Sequence, residues 1–325
     1  MSRFTIFVTR RLPVSLAPLE AVAEVVLWPE RQPPPYDVLR REIQRCEGLL
    51  CLLTDRIDAA LLQAAPQLRV ISQMAVGYDN IDVKAATALK IPVGHTPGVL
   101  TEATADLTWA LLMAAARRVV EADRFTRSGQ WTTWEPDLLL GPDVAGATLG
   151  VVGLGRIGQA VARRALGFDM RVLYTAPRPV DAAIEQRLKA EYASLDRVLQ
   201  EADFITLHVP LTTATHHLLG AAQFQQMKST AVLINTARGA IVDQGALYKA
   251  LQAGQLAGAA LDVTEPEPTP LTEPLLSLPS VIVTPHIGSA SRQAREKMAQ
   301  IAIANLLAGL RNEPLPHCVN LEIYG

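Results

Sequence analysis

The 325-residue chain has only three cysteines, Cys46, Cys51 and Cys318, in no metal-ligand or redox spacing. That excludes a disulfide-stapled scaffold and a zinc ribbon, and points to a reducing, cytoplasmic compartment. Excess charge of one sign is also missing. The formal net charge is -2, so nothing draws the chain generally to nucleic acid or to an acidic membrane. Long apolar runs are absent: no window approaches the roughly 18 uncharged apolar residues of a transmembrane helix. The opening MSRFTIFVTRRLP has neither a secretory apolar core nor a small-residue cleavage site, and reads as a first strand. The proline run in WPERQPPPY is too short and unrepeated for a recognition tract. What is there is 49% apolar and 19% charged residues. This is the profile of globular domains, in a chain long enough for two cores.

FTIFVT from Phe4, GLLCLL from Gly48, LRVISQM from Leu68 and IPVGHTP from Ile91 predict strands. Leu16–Ala23 and IDAALLQAAP read as helices between them, and this alternation predicts a parallel sheet. TEATADLTWALLMAAARRVVEADRFTRS predicts one long buried helix from Thr101, its cap, to about Ser128. GQWTTWEPDLLLGPDVAG then reads as a loop longer than packing needs. The alternation restarts at Ala147 with ATLGVVGLGRIGQAVARRALGFDMRVLYT, and continues through DFITLHVPL, AVLINTARG, AGAALDV and VIVTPHIG. A last helix over about Arg292 to Leu310 is expected to return to the first unit. The expectation is two α/β domains with parallel sheets: a substrate domain of residues 1–100 with 289–325, and a dinucleotide-binding domain of residues 101–288.

Gly153-Leu154-Gly155-Arg156-Ile157-Gly158 fits G-x-G-x-x-G between a strand and a helix, the context a dinucleotide turn requires. Gly153 permits the tight turn, Gly155 leaves room for pyrophosphate, and Gly158 lets helix and strand pack closely. About 20 residues further on, an NAD site usually places a carboxylate on the adenosine ribose. Here VLYTAPRPV, Val172 to Val180, has none. Thr175 would not repel a 2′-phosphate, and Arg178, with help from Arg156, offers guanidinium groups suited to one. This favours NADPH. In the alternative, Arg178 faces solvent and NADH is held by Thr175 and backbone.

Arg238, Glu267 and His286 each follow a predicted strand in the half that carries the glycine turn, where open parallel sheets bind ligands. An arginine can clamp a substrate carboxylate, a histidine can protonate a carbonyl oxygen, and a carboxylate can orient that histidine. Together they fit reduction of a 2-keto acid by a nicotinamide. Singly, each also fits a structural role: a turn carboxylate, a backbone-bonded loop histidine, a paired arginine. His208 reads as a satisfied core residue inside a strand. His216 and His217 are adjacent, so they are expected to point apart, and no metal site is expected.

Taken in order, VGLGRIGQAVARRALGFDMRVL, DFITLHVPLTTATHHLLG, MKSTAVLINTARGAIVDQGALYKAL, AALDVTEPEP and VIVTPHIGSA resemble the D-2-hydroxyacid dehydrogenase family. MAVGYDNIDV and TEATAD extend the resemblance over essentially the whole chain. Within the family, GQWTTWEPDLLLG, LYTAPRP, LDVTEPEP and NLLAGLRNEPLP are most similar to the glyoxylate/hydroxypyruvate reductases. The resemblance implies Rossmann-like and flavodoxin-like α/β domains, an interdomain active-site cleft and a homodimer. It implies reduction of glyoxylate to glycolate and of hydroxypyruvate to D-glycerate, with NADPH preferred and NADH possible.

By the same resemblance, Arg238 binds the substrate carboxylate, His286 is the acid/base and Glu267 its partner. The Val76 and Gly77 amides are further carboxylate ligands, and Ser289 is a substrate-side hydroxyl. The cofactor set gains Ile157, Asp262 at the nicotinamide carboxamide, Thr104, Val209, Pro210, Thr215, Thr236, Ala237 and Gly288. Trp134, or else Trp131, enters the neighbouring subunit's pocket, or either is a plain dimer-interface aromatic. Two other readings remain open. One is a phosphoglycerate or related dehydrogenase, where the end at Gly325 points to a short form. The other is a dinucleotide-sensing corepressor-like protein, which would not need the full trio.

Overall fold

The computed structural model describes residues 3–325. The chain divides into two compact units, the residues up to Leu100 with Ala290–Gly325, and Thr101–Ser289. Ser289 therefore belongs to the second unit, not the first. It lies two residues before Ser291, whose side chain caps the last helix by accepting from Ala294 N–H.

The first unit is a parallel sheet of β1 (Phe4–Val8), β2 (Ala23–Leu27), β3 (Gly48–Cys51), β4 (Val70–Gln73) and β5 (Val93–Gly94), in the order β2-β1-β3-β4-β5. Every residue of β3 and β4 is buried, the polar Ser72 and Gln73 included, as central strands of a parallel sheet covered on both faces should be. One cover is the helix Arg292–Leu310, as the sequence pattern predicts. A Cβ on Gly309 would come within 2.4 Å of Val70 Cγ2, and Ser72 Oγ donates to Ala302 O at 2.7 Å.

The expected Leu16–Ala23 helix is only Ala17–Glu20, and β2 follows at once. There Val25 and Val26 pair with Ile6 and Phe7, and β-branched packing on the sheet outweighs helix continuation. The proline run leads into a helix, Tyr36–Ile43, that buries Leu39 and Ile43. Cys46 and Cys51 are buried thiols; burial pushes Cys46 up to about 12 and raises Cys51 as well, which leaves both inert as nucleophiles.

The second unit is a parallel sheet of β6 (Thr148–Val152), β7 (Arg171–Thr175), β8 (Ala190–Tyr192), β9 (Phe204–Leu207), β10 (Val232–Asn235), β11 (Gly258–Leu261) and β12 (Val281–Val283). Its order is β12-β11-β10-β9-β6-β7-β8. The order reverses between β6 and β9, the switch point where such sheets bind ligands.

The segment from Thr101 is two helices, Thr101–Ala116 and Val119–Arg127, not one. Arg118 between them takes a left-handed φ of 51°. Thr101 is the first helical residue rather than the cap. The first helix buries Thr104, Thr108, Trp109 and Leu112, whereas no residue of the second is fully buried. From 128 to 146 the described residues form no helix or strand, and Trp131 and Trp134 are 60% and 79% exposed.

Candidate active site

The glycine turn joins β6 to the helix Arg156–Ala165. Gly153 takes a φ of 98°, and a Cβ there would lie 2.9 Å from Val209 N and the His208 carbonyl carbon. A Cβ on Gly158 would sit 2.1 Å from Gly153 O, so helix and strand meet only because it is absent. Gly155 is the reverse case: nothing lies within 4 Å of its missing Cβ. It is the helix N-cap and has no side-chain cap. Open space thus stands over uncapped first-turn amides, a fit for the pyrophosphate of a dinucleotide.

Thr175, at the end of β7, accepts from Gly153 N–H at 2.9 Å. The following loop is tied at both ends. The Tyr174 hydroxyl donates to Glu185 Oε1 at 2.6 Å and accepts from Val180 N–H at 2.9 Å, and Tyr192 donates to Ala176 O at 3.2 Å. Burial, then the Glu185 hydrogen bond, pushes the Tyr174 phenol up to about 12, so it stays a donor. Arg156 and Arg178 are exposed, and among the described residues neither has an ion-pair partner. Thr215 spends its hydroxyl on its own loop, donating to Pro210 O at 2.6 Å and accepting from Thr212 N–H at 2.8 Å.

Arg238, Glu267 and His286 leave the carboxyl ends of β10, β11 and β12, three adjacent strands in register at Asn235, Leu261 and Val283. His286 Nδ1 lies 2.7 Å from Glu267 Oε2, and Glu267 Oε1 accepts from Thr264 N–H at 3.1 Å. His286 takes a left-handed φ of 53°, a strained conformation for a non-glycine residue. Asp262, 1% exposed, holds it there. Its main-chain oxygen accepts from His286 N–H at 2.9 Å. Its Oδ1 accepts from Thr284 Oγ1 at 2.6 Å and Ile287 N–H at 2.8 Å, and its Oδ2 from Gly288 N–H at 2.7 Å. A Cβ on Gly288 would lie 3.5 Å from Thr104 Cγ2, so Thr104, Asp262 and Gly288 stand together. Ser289 follows directly and is half-buried.

Sequence reasoning passed over the residues that hold these groups. Asn235 is fully buried; it accepts from Ala237 N–H at 3.0 Å and donates to Arg238 O at 2.8 Å. Thr108 was likewise missed: its Oγ1 lies 2.9 Å from that of Thr236, a residue of the expected cofactor set. A Cβ on Gly239 would fall 2.1 Å from both C and O of Thr264, so the Arg238 turn and the Glu267 turn touch backbone to backbone. A lone polar residue ending the apolar strand VLIN was the available signal for Asn235. In the first unit, Gln73 Nε2 donates to Gly77 O at 2.9 Å, and His95 Nδ1 lies 3.0 Å from Val76 O. Among the described residues the Val76 and Gly77 amides donate to no protein group, which suits them to an anion.

Two histidine expectations are corrected. His208 lies just past β9, and its buried Nε2 has no hydrogen-bond partner among the described residues. Burial alone lowers its pKa to about 3 and keeps it neutral. His216 and His217 do not point apart: their rings stack at 4.0 Å, because a left-handed φ of 48° at His217 breaks the strand-like alternation.

A parallel sheet with a pyrophosphate cradle and an imidazole–carboxylate pair along one edge is the equipment of a nicotinamide-dinucleotide oxidoreductase. Residues 109–288 match the family described as D-isomer specific 2-hydroxyacid dehydrogenase, NAD binding domain. The chain belongs to this family. It is 53% identical over 321 residues to a glyoxylate reductase of Korarchaeum cryptofilum (strain OPF8), covering 98% of this chain and 96% of that one. A Thermus thermophilus protein of known structure shares 49% identity with a TM-score of 0.91, over 97% of this chain and 99% of its own. An NADPH-dependent glyoxylate/hydroxypyruvate reductase from Sinorhizobium meliloti, solved with NADP and malonate, gives 33% identity and a TM-score of 0.85, over 98% and 97%.

Proposed function

We propose that this chain is a cytoplasmic, homodimeric reductase of glyoxylate and hydroxypyruvate, forming glycolate and D-glycerate, with NADPH preferred over NADH. The observation that carries the reading is the 2.7 Å His286–Glu267 pair, on the same sheet edge as the glycine turn. The nicotinamide, when bound, supplies the hydride. Arg238 grips the substrate carboxylate through its two-pronged guanidinium, with the Ser289 hydroxyl as a further ligand. Glu267 on Nδ1 leaves Nε2 of His286 as the atom that delivers a proton to the carbonyl oxygen. In the reverse direction the same nitrogen takes the proton back.

The cofactor preference is supported by Thr175 standing where a carboxylate would repel a 2′-phosphate, and by Arg156 and Arg178, both exposed and without an ion-pair partner among the described residues. The homodimer is supported by the exposed Trp131, Trp134 and Leu140, and by a helix, Val119–Arg127, with no residue fully buried within its own chain. Trp134, or Trp131, is the side chain that reaches the partner's pocket.

Arg178→Ala tests the phosphate reading. It should raise the KM for NADPH by roughly 10- to 100-fold, the worth of one charge-assisted hydrogen bond, and leave that for NADH nearly unchanged. Equal changes for the two cofactors would remove Arg178 from phosphate recognition.

A further inference from the structure

Away from the glycine turn and the His286–Glu267 pair, one side-chain cluster has no part in the chemistry above. We propose that His216, His217 and Glu265 form a binding site for a divalent transition-metal ion of the zinc type. Among the described residues, this is the group of three histidine, cysteine or acidic side chains whose ligand atoms all lie within 4.8 Å of one another. Two imidazoles and one carboxylate are a donor set for zinc, nickel or copper, and a poor one for magnesium or calcium, which take oxygen ligands.

The spacing fits. His217 Nε2 and Glu265 Oε2 are 3.1 Å apart, and two ligands on a tetrahedral zinc stand roughly 3.3 Å apart at ordinary bond lengths. The stacked His216 ring lies 4.0 Å from that of His217, centroid to centroid, and closes onto the ion by turning an exposed side chain. Solvent fills the remaining position, as in a three-ligand site.

The main chain under the ligands is already fixed. His217 N–H donates to Ala240 O at 2.8 Å, and Leu219 N–H to Ile241 O at 3.1 Å. Gln244 clamps Glu265 from both sides, accepting from its N–H and donating to its carbonyl, each at 2.7 Å. Ordering cost on binding is therefore confined to three side chains. The ion ties the 216–217 loop to the turn between Thr264 and Glu267, and so braces the segment that carries the histidine's carboxylate partner.

The test is a zinc titration of the full-length protein, first stripped with chelator, in competition with a chromophoric chelator. Wild type should bind one equivalent and gain melting temperature on doing so. His216→Ala, His217→Ala and Glu265→Gln, each checked for an intact fold by circular dichroism, should bind at least 10-fold more weakly and lose the melting shift. No equivalent bound at micromolar zinc overturns the proposal. So does equal affinity in wild type and variants, which would place the ion elsewhere.

Discussion

Replacing His286 with alanine is expected to lower kcat by about 10²- to 10⁴-fold, the usual worth of a positioned general acid, while dinucleotide affinity stays near wild type. The fold around the site should survive, because the left-handed turn does not depend on the imidazole. It is held by main-chain N–H groups on the Asp262 carbonyl and carboxylate. Glu267→Gln should be milder. The amide keeps the shape, and its oxygen can still accept from Thr264 N–H, but it brings no negative charge to steady the imidazolium. Single-turnover rates with glyoxylate, beside a fluorescence titration of dinucleotide, separate the two roles. Loss of dinucleotide binding in a folded His286→Ala protein would mean that this ring contacts the cofactor instead of delivering the proton.

Gly239→Ala should be nearly as damaging, although the residue carries no chemistry. Its Cβ would fall 2.1 Å from the Thr264 carbonyl group and 2.7 Å from Glu265 N, and these are backbone atoms that cannot swing aside. Relief requires the Arg238 turn or the Glu267 turn to shift. A displacement near 1 Å at such groups costs about 100-fold in rate, and the overpacking costs about 1–3 kcal/mol of stability. Gly155→Ala makes the contrast. Its Cβ meets nothing in the protein, so stability should hold while the KM for dinucleotide rises. Of the two glycine variants, only Gly239→Ala is expected to lose activity with unchanged cofactor KM, measured with Tm on the same preparations. Full activity in Gly239→Ala would show that the two turns are not rigidly coupled.

These two glycines show what a sequence displays and what it hides. The Gly155 role is legible because strand, turn and helix signals lie within one contiguous stretch. Arg238, Glu267 and His286 stand out for a similar reason: each follows an apolar run within a few residues, and buried parallel strands advertise themselves as such runs. Gly239 is silent, because its constraint comes from Thr264, remote in sequence and adjacent only through the β10–β11 register. Asp262 as the anchor of the His286 turn and Tyr174 as the tether of the Thr175–Val180 loop are of the same kind. Each satisfies backbone groups that only the folded loops define.

The helix over-extension past Ala116 has another cause. Apolar periodicity continues to Phe125, and nothing local marks Arg118 as left-handed. The stacked His216–His217 pair likewise reverses an argument from alternation that holds only for extended backbone.

The central claim is tested most directly by initial rates of NADPH and NADH oxidation with glyoxylate and with hydroxypyruvate as acceptors. The account predicts turnover of both acids, with kcat/KM higher for NADPH than for NADH. Turnover with NADH alone would contradict the part assigned to Thr175 and Arg178. No turnover of either acid with either cofactor, in a protein that binds dinucleotide, would contradict the proposed reductase itself.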